Sequence, residues 1–284
     1  MNSIRSLLLI PNLKKHIEPA QIIALVDALA EHGCRVGILP EYASALSFLG
    51  GKVSEGRTDA DAALVLGGDG SIIEASHRLL GTSIPIIGIN YGRVGFLAEI
   101  GIGELDLLDR LFSGECAVEQ RMMLDARVTG ADGSVRAEFT VLNDIVLTNG
   151  PVSRLISFDV LCDGVKIASC RADGIITATP TGSTAYSLSA GGPVLDPSLE
   201  GICLTPICPH TLSSRPVIVR SDAAIDLCRI ENNGASVYLN ADGRDEVKLL
   251  GGDCVTIRRS RYTTGLIRIR ERGFLSVLQA KLSE

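Results

Sequence analysis

From Ser6 to about Ile89 the chain alternates short apolar runs with apolar positions at helical spacing. Ser6–Ile10 and Cys34–Leu39 read as strands. Between them, after Glu18-Pro19, the residues Ile22, Leu25, Val26 and Leu29 keep the spacing of one helical face until Gly33 stops it. Glu41–Leu49 reads as a short helix and Ser71–Leu80 as a longer one. Ala62–Leu66 and Ile84–Ile89 are unbroken apolar runs, the pattern of a parallel strand covered on both faces. The resulting βαβαβαβ order predicts a doubly wound, largely parallel sheet with ligands at the carboxyl ends of its strands.

Beyond about Glu119 the runs become β-like and are separated by Asp132-Gly133, Asp163-Gly164, Asp173-Gly174 and Asp242-Gly243. The first two pairs, flanked by alternating residues, are expected as hairpin turns. A β-rich second domain follows. At the end, Phe274, Leu275, Leu278 and Leu282 return to helical spacing, and this helix is expected to pack back on the first domain.

Two domains also suit the size, since 284 residues with 46% hydrophobic content can fill two cores. A net charge of -6, no Trp and 4% aromatics are unlike a surface built to hold nucleic acid. The apolar run before Pro11 falls short of the roughly 7–15 residues of a secretory core, and no stretch approaches the ~20 residues of a membrane span. A cytoplasmic setting without membrane contact is expected. The eight cysteines form no C-x-x-C pair and read as reduced, mostly buried thiols. The four histidines never fall at metal-ligand spacing.

Three segments carry chemistry. In the first, the strand Leu64-Val65-Leu66 feeds Gly67-Gly68-Asp69-Gly70 and opens a helix. Such a turn offers backbone N–H groups and a helix N-terminus to a phosphate. It reads equally as a tight turn in which Asp69 or Ser71 caps the helix. The G-x-G-x-x-G fingerprint fails at Ile73 and no P-loop motif occurs, since Val53 follows Gly51-Lys52. A carboxylate in a phosphate loop is unfavourable unless it holds Mg²⁺ or accepts a proton.

The second segment is Asn143-Asp144, which interrupts an apolar strand and so needs polar partners, such as the hydroxyls of a ribose. A strand end or bulge is the competing explanation. The third runs from Arg171-Ala172-Asp173-Gly174 through Thr179-Pro180-Thr181-Gly182-Ser183-Thr184-Ala185-Tyr186-Ser187-Leu188-Ser189 to Gly191-Gly192. Thr184, Tyr186 and Ser189 bring hydroxyls together on a short helix, suited to a small polar ligand. Ser183 reads more simply as a hydroxyl bonded to backbone.

Together, the loop 67–70, the segments Gly88-Ile89-Asn90 and Gly95-Phe96-Leu97, the Asn143-Asp144 pair and the stretch from Thr179 to Tyr186 closely resemble those of NAD kinases. Diacylglycerol and sphingosine kinases and phosphofructokinases share only the glycine-Asp loop. The resemblance implies an α/β N-terminal domain, 1–118 completed by 265–284, and an all-β, sandwich-like domain, 119–264, with NAD held between them. It implies that ATP donates its γ-phosphate with Mg²⁺ or another divalent cation, with Gly67, Gly68 and Gly70 forming the phosphate loop. Asp69, beside Gly70, matches the base that accepts the proton of the adenosine 2′-hydroxyl of NAD. Asn143, Asp144, Thr184, Ala185, Tyr186 and Ser189 match the adenosine pocket, and Arg154, Arg171 and Asp173 match positions near the dinucleotide. Asp144 stands where many members carry Glu, and Arg244, after Asp242-Gly243, where Gln is frequent. Both Asp242 and Arg244 are weaker matches. The family forms homodimers or homotetramers whose sites can borrow residues from a neighbour. A lipid kinase sharing only the loop, or a nucleotide sensor without turnover, are the competing functions.

Overall fold

The unbroken apolar runs become the central strands of a parallel sheet, buried at every position. These are β1 (Ser6–Pro11), β4 (Ala62–Leu66) and β5 (Ile86–Asn90). This computed structural model describes residues 4–14, 18–55, 59–92, 95–150, 155–211, 214–231, 236–270 and 273–283. Among them the chain divides into two compact units, Met1–Gln120 with Thr264–Glu284, and Arg121–Thr263.

In the first unit β2 (Arg35–Ile38) and β3 (Val53–Glu55) extend the sheet on the far side of β1, giving the order β3-β2-β1-β4-β5 with every pair parallel. The two-residue strand β6 (Ile100–Gly101) pairs with the end of β5. Helix α1 (Pro19–Glu31) buries Ile22, Leu25, Val26 and Leu29, the four positions of the sequence pattern. Helix α2 runs Asp69–Arg78 and the short α3 runs Leu108–Ser113. The helix expected over Glu41–Leu49 does not form. Two 3-10 turns, Pro40–Tyr42 and Ser47–Lys52, stand there, and the second carries non-helical backbone at Gly50. Gly50 has φ +53°, a left-handed conformation that glycine tolerates and that ends helical propagation.

The second unit is built on antiparallel strands. β7 (Ala117–Thr129) leads into it and forms a hairpin with β8 (Val135–Val141) through Asp132-Gly133. β9 (Asp144–Asn149) follows, and then β10 (Ile156–Cys162) and β11 (Val165–Ala172) form a hairpin through Asp163-Gly164. Asp163 and Gly164 both have positive φ, +50° and +77°, the geometry of the two-residue turn that Asp-Gly favours. Strands β12 (Gly174–Ala178), β13 (Gly201–Ile207), β14 (Val217–Arg220), β15 (Ile225–Glu231), β16 (Val237–Ala241), β17 (Asp245–Leu249) and β18 (Cys254–Arg268) complete it, with one helical turn, α4 (Tyr186–Ser189), after β12. One sheet has the order β14-β13-β12-β9-β16-β17. In the other, β10 lies between β11 and β15, and β15 pairs with β18. Residues from both, among them Ile145, Leu147, Ile175 and Leu204 from one and Phe158, Val160, Leu227 and Val255 from the other, meet in a single apolar core. That layering is a β-sandwich.

Cys228 and Cys254 correct the expectation of reduced thiols, since they form a disulfide. The register of β15 on β18 explains it: Leu227 lies opposite Val255, so the next pair outward places the two cysteines face to face, with Cα atoms 4.7 Å apart. Of the six free cysteines only Cys34 and Cys203 are buried. The final residues of β18 return to the first unit, where Leu266 pairs with Ile86 of β5. Helix α5 (Phe274–Leu282) then sets Phe274 against Phe96, with ring centroids 6.1 Å apart. Among the described residues no helix is long and apolar enough to cross a membrane.

Candidate active site

The glycine-rich turn is shaped by close approaches. A Cβ on Gly67 would lie 2.1 Å from Ser71 Oγ, so the turn admits no side chain there. Ser71 Oγ in turn accepts a hydrogen bond from Asn12 Nδ2 at 2.8 Å, tying the carboxyl end of β1 to the first turn of α2. Gly68 occupies the cap position, and no side chain caps α2. Asp69 therefore does not do what a simple helix-capping role requires. Its carboxylate points away from its own helix, to a second loop.

There Asp69 Oδ2 accepts the backbone N–H of Phe96 at 2.9 Å, and Oδ1 those of Leu97 and Ala98 at 3.1 and 3.2 Å. A Cβ on Gly95 would sit 2.2 Å from one carboxylate oxygen and 2.3 Å from the other, so glycine is what lets the loop close over the carboxylate. A Cβ on Gly88 would lie 2.4 Å from Ile72 and 3.1 Å from the Ala98 backbone, so β5 passes between helix and loop without room for a side chain. The two glycine-marked segments of the first unit are thus parts of one construction around Asp69. A carboxylate has about four lone-pair sites. Three backbone bonds hold it in place and leave capacity for one more partner.

In the second unit the polar interruption at Asn143-Asp144 is held by a third carboxylate. Asp242, in a left-handed conformation with φ +51°, accepts the N–H groups of Leu142, Asn143 and Asp144 at 2.8, 2.8 and 3.0 Å. Its own N–H donates to the Asp144 carbonyl at 3.0 Å. Asp144 is buried, and burial together with the nearby Asp242 carboxylate pushes its pKa up to about 7.

The Thr179–Gly182 turn packs on the same backbone. Thr179 N donates to the Asn143 carbonyl at 2.8 Å, and its hydroxyl to the Leu142 carbonyl at 2.6 Å. A Cβ on Gly182 would fall 2.2 Å from the Asn143 carbonyl oxygen. That contact fixes the start of the 182–184 turn against the Asn143 backbone, and the Asn143 side-chain Oδ1 is buried without a hydrogen-bond partner. A buried acceptor left open in this way is costly unless a ligand supplies a donor.

Not every expected hydroxyl is free to bind. Thr184 Oγ1 donates to the Thr181 carbonyl at 3.2 Å, and Ser183 Oγ is shared between backbone groups of Pro180 and Leu195. Tyr186 and Ser189 are exposed. Arg244 is also exposed.

Asp173 and Arg171 are not brought to this place. Asp173 precedes Gly174 at one end of β12, whereas Thr179 follows Ala178 at the other, six residues away at about 3.3 Å each, or roughly 20 Å. Asp173 instead accepts from Asn149 Nδ2 at 3.1 Å, and Arg171 is exposed. Arg154 lies outside the described residues. Sequence reasoning missed Asn12, the N–H groups of 96–98 and the backbone-holding role of Asp242. For the loop a signal existed in Gly95-Phe96-Leu97.

A parallel α/β domain with a glycine-rich strand-to-helix turn and a carboxylate fixed beside it, followed by a β-sandwich with a buried, unpaired polar oxygen, is an arrangement suited to a nucleotide-dependent phosphotransferase. Residues 52–116 match the ATP-NAD kinase N-terminal domain and residues 142–269 the ATP-NAD kinase C-terminal domain. The chain is 41% identical over 269 residues to an NAD kinase of Geobacter sulfurreducens, covering 94% of this chain and 89% of that one. To an NAD kinase of Symbiobacterium thermophilum it is 45% identical over 226 residues, 79% of each. Its structure resembles that of yeast NADH kinase complexed with NADH, with a TM-score of 0.88 and 25% identity over 99% of this chain and 88% of that one. It also resembles an NAD kinase from Archaeoglobus fulgidus in complex with ATP, with a TM-score of 0.72 and 25% identity over 98% of each. The chain belongs to the NAD kinase family, enzymes that transfer the γ-phosphate of ATP to the 2′-hydroxyl of the adenosine ribose of NAD and so form NADP.

Proposed function

We propose that Asp69 is the general base of this reaction, accepting the proton of the 2′-hydroxyl as it attacks the γ-phosphate. The observation that carries this reading is the hydrogen bonding of its carboxylate, which is spent on three N–H groups of the 96–98 backbone and not on capping α2. A base held this way keeps a fixed direction and one open lone pair, which is what in-line phosphoryl transfer asks of a proton acceptor. Gly67, Gly68 and Gly70 leave the turn open for the phosphates at the N-terminus of α2. Asn143 and Asp144 hold the adenosine ribose and base, with Thr184, Ala185, Tyr186 and Ser189 beside them.

The first unit carries the donor. A cavity of about 270 Å³ opens between the end of β1 and α2, lined by Asn12, Lys14, Tyr42, Ser71 and Arg78 among others. Among the described residues no group of three His, Cys, Asp or Glu side chains could hold a metal. A Mg²⁺ ion fits this chain as a passenger on the ATP triphosphate, where it neutralises charge on the phosphate oxygens. Asp173 and Arg171, remote from Asn143 within one chain, serve the dinucleotide of a neighbouring copy in a homo-oligomer, and Arg154 and Arg244 are assigned to the same dinucleotide. The setting is the cytoplasm, where both nucleotides are at hand.

The test of the base is Asp69→Asn. It should lower kcat on the order of 10²- to 10⁴-fold in an assay of NADP formation while NAD still binds in equilibrium titration. Wild-type turnover in that variant would overturn the assignment.

A further inference from the structure

We propose that Arg268 is a positioning residue for Asp69, acting through the two peptide groups that separate them. Arg268 stands near the end of β18, almost 200 positions from Asp69 in the chain, and its guanidinium is turned inward. Nη2 donates to the Phe96 carbonyl at 3.2 Å and Nη1 to the Leu97 carbonyl at 3.1 Å. The N–H groups of those same peptide units belong to Leu97 and Ala98, and both donate to Asp69 Oδ1. Each peptide therefore has a cation at its oxygen and a carboxylate at its hydrogen. Donors and acceptors arranged head to tail polarise one another, so the guanidinium strengthens the N–H bonds that hold the base.

The guanidinium is itself fixed. Nη1 also donates to Glu99 Oε2 at 3.0 Å and Nε to Glu119 Oε2 at 3.1 Å. Glu99 is buried, and its other oxygen accepts the backbone N–H groups of Ile269 and Arg270 at 2.9 and 2.8 Å. The planar fork of arginine can address two adjacent carbonyls at once, and a lysine ammonium, a single point donor on a flexible stem, cannot reproduce that geometry. In the absence of the fork the loop keeps its place in the chain but loses its fixed orientation toward Asp69.

This inference rests on Asp69 being the base, and a double-mutant cycle separates the two claims. Arg268→Ala should lower kcat about tenfold or more with the KM values for NAD and ATP changed less than about threefold, because the oriented base and not substrate binding is lost. In the Asp69→Asn background the same substitution should change the residual kcat less than about twofold, since a residue acting through Asp69 has nothing left to act on. Guanidinium ion at millimolar concentration should restore part of the turnover of Arg268→Ala and none of that of the double variant. An equal loss in both backgrounds, or a loss confined to KM, overturns the proposal. Wild-type turnover of Asp69→Asn alone instead overturns the base assignment. If Arg268→Ala does not fold, Arg268→Lys, which keeps the charge on a single nitrogen and lacks the planar fork, carries the same cycle with the same criteria.

Discussion

Replacing Gly95 by alanine adds one methyl group where the structure has room for none, and the consequence can be worked out from distances. The added Cβ would lie 2.2 and 2.3 Å from the two oxygens of Asp69 and 2.4 Å from Cγ, whereas ordinary contact begins near 3.4 Å. Gly95 does not have a left-handed φ, so alanine brings no backbone strain of its own. Carboxylate and loop must separate by about 1 Å, which stretches the three N–H bonds out of range. Hydrogen bonds to a charged group contribute about 1.5–3 kcal/mol each, and water can replace part of that at a half-buried site, so a net stability loss of about 1–3 kcal/mol is expected. Catalysis should suffer more. A base displaced by about 1 Å loses on the order of 10²-fold in rate, equivalent to roughly 2.7 kcal/mol in the barrier. The assay is the initial rate of NADP formation at saturating NAD and ATP, with NAD affinity by titration calorimetry and folding by thermal unfolding. The expected result is a hundredfold lower kcat, on the order given by that displacement, with NAD binding within about threefold of wild type. A folded Gly95→Ala protein with kcat within about threefold of wild type would refute the idea that this loop fixes the base.

Asp144 makes stability depend on pH. Its folded pKa of about 7 lies above the usual carboxylate value, so the native state holds more protons than the unfolded chain between about pH 4 and 7, and stability falls as pH rises through that window. Thermal unfolding of the ligand-free protein from pH 5 to 8 should show that slope, and Asp144→Asn should flatten it; an unchanged slope in the variant sinks the assignment. The proposed sharing of residues between copies predicts complementation. Asp69→Asn and Asp173→Asn chains, each nearly inactive, should on co-refolding regain up to about a quarter of wild-type activity, because half of randomly paired dimers are mixed and each mixed dimer has one intact site. No recovery from a demonstrably mixed oligomer would count against a shared site.

The parts of this molecule that were legible in its sequence are those where a residue type has one physical use. Ala62–Leu66 is a strand to the residue because five consecutive apolar side chains, cut off by Gly67-Gly68, are too short for a buried helix and suit a strand covered on both faces. The face of α1 and the Asp163-Gly164 hairpin were readable for the same reason. Glu41–Leu49 was not, because its apolar spacing fits a helix as well as two 3-10 turns, and tertiary contacts decide between them. The cysteine pair was hidden because its register depends on how two distant strands meet.

The candidate site divides along the same line. Glycines at 67, 88, 95 and 182 mark where backbone must come close, and a sequence displays them openly. What they come close to, the side chains of Ser71, Ile72 and Asp69 and the carbonyl of Asn143, is set by the fold and betrayed by no sequence pattern. Asp69 and Asp242 show the consequence. Both precede a glycine, both resemble ligand residues, and both accept three consecutive backbone N–H groups, those of 96–98 and of 142–144. Yet Asp69 stands at the start of a helix after a glycine-rich turn, where the proposed role gives its remaining lone pair to the substrate hydroxyl, while Asp242 follows β16 and holds the backbone of Asn143 and Asp144. The distinction lies in what each held loop carries, Asn143 with a buried, unpaired oxygen in one case and the Arg268 fork behind the peptides in the other. A short carboxylate beside a glycine is therefore a mark of a fixed loop first, and becomes a mark of catalysis only where a substrate atom has a path to its free lone pair.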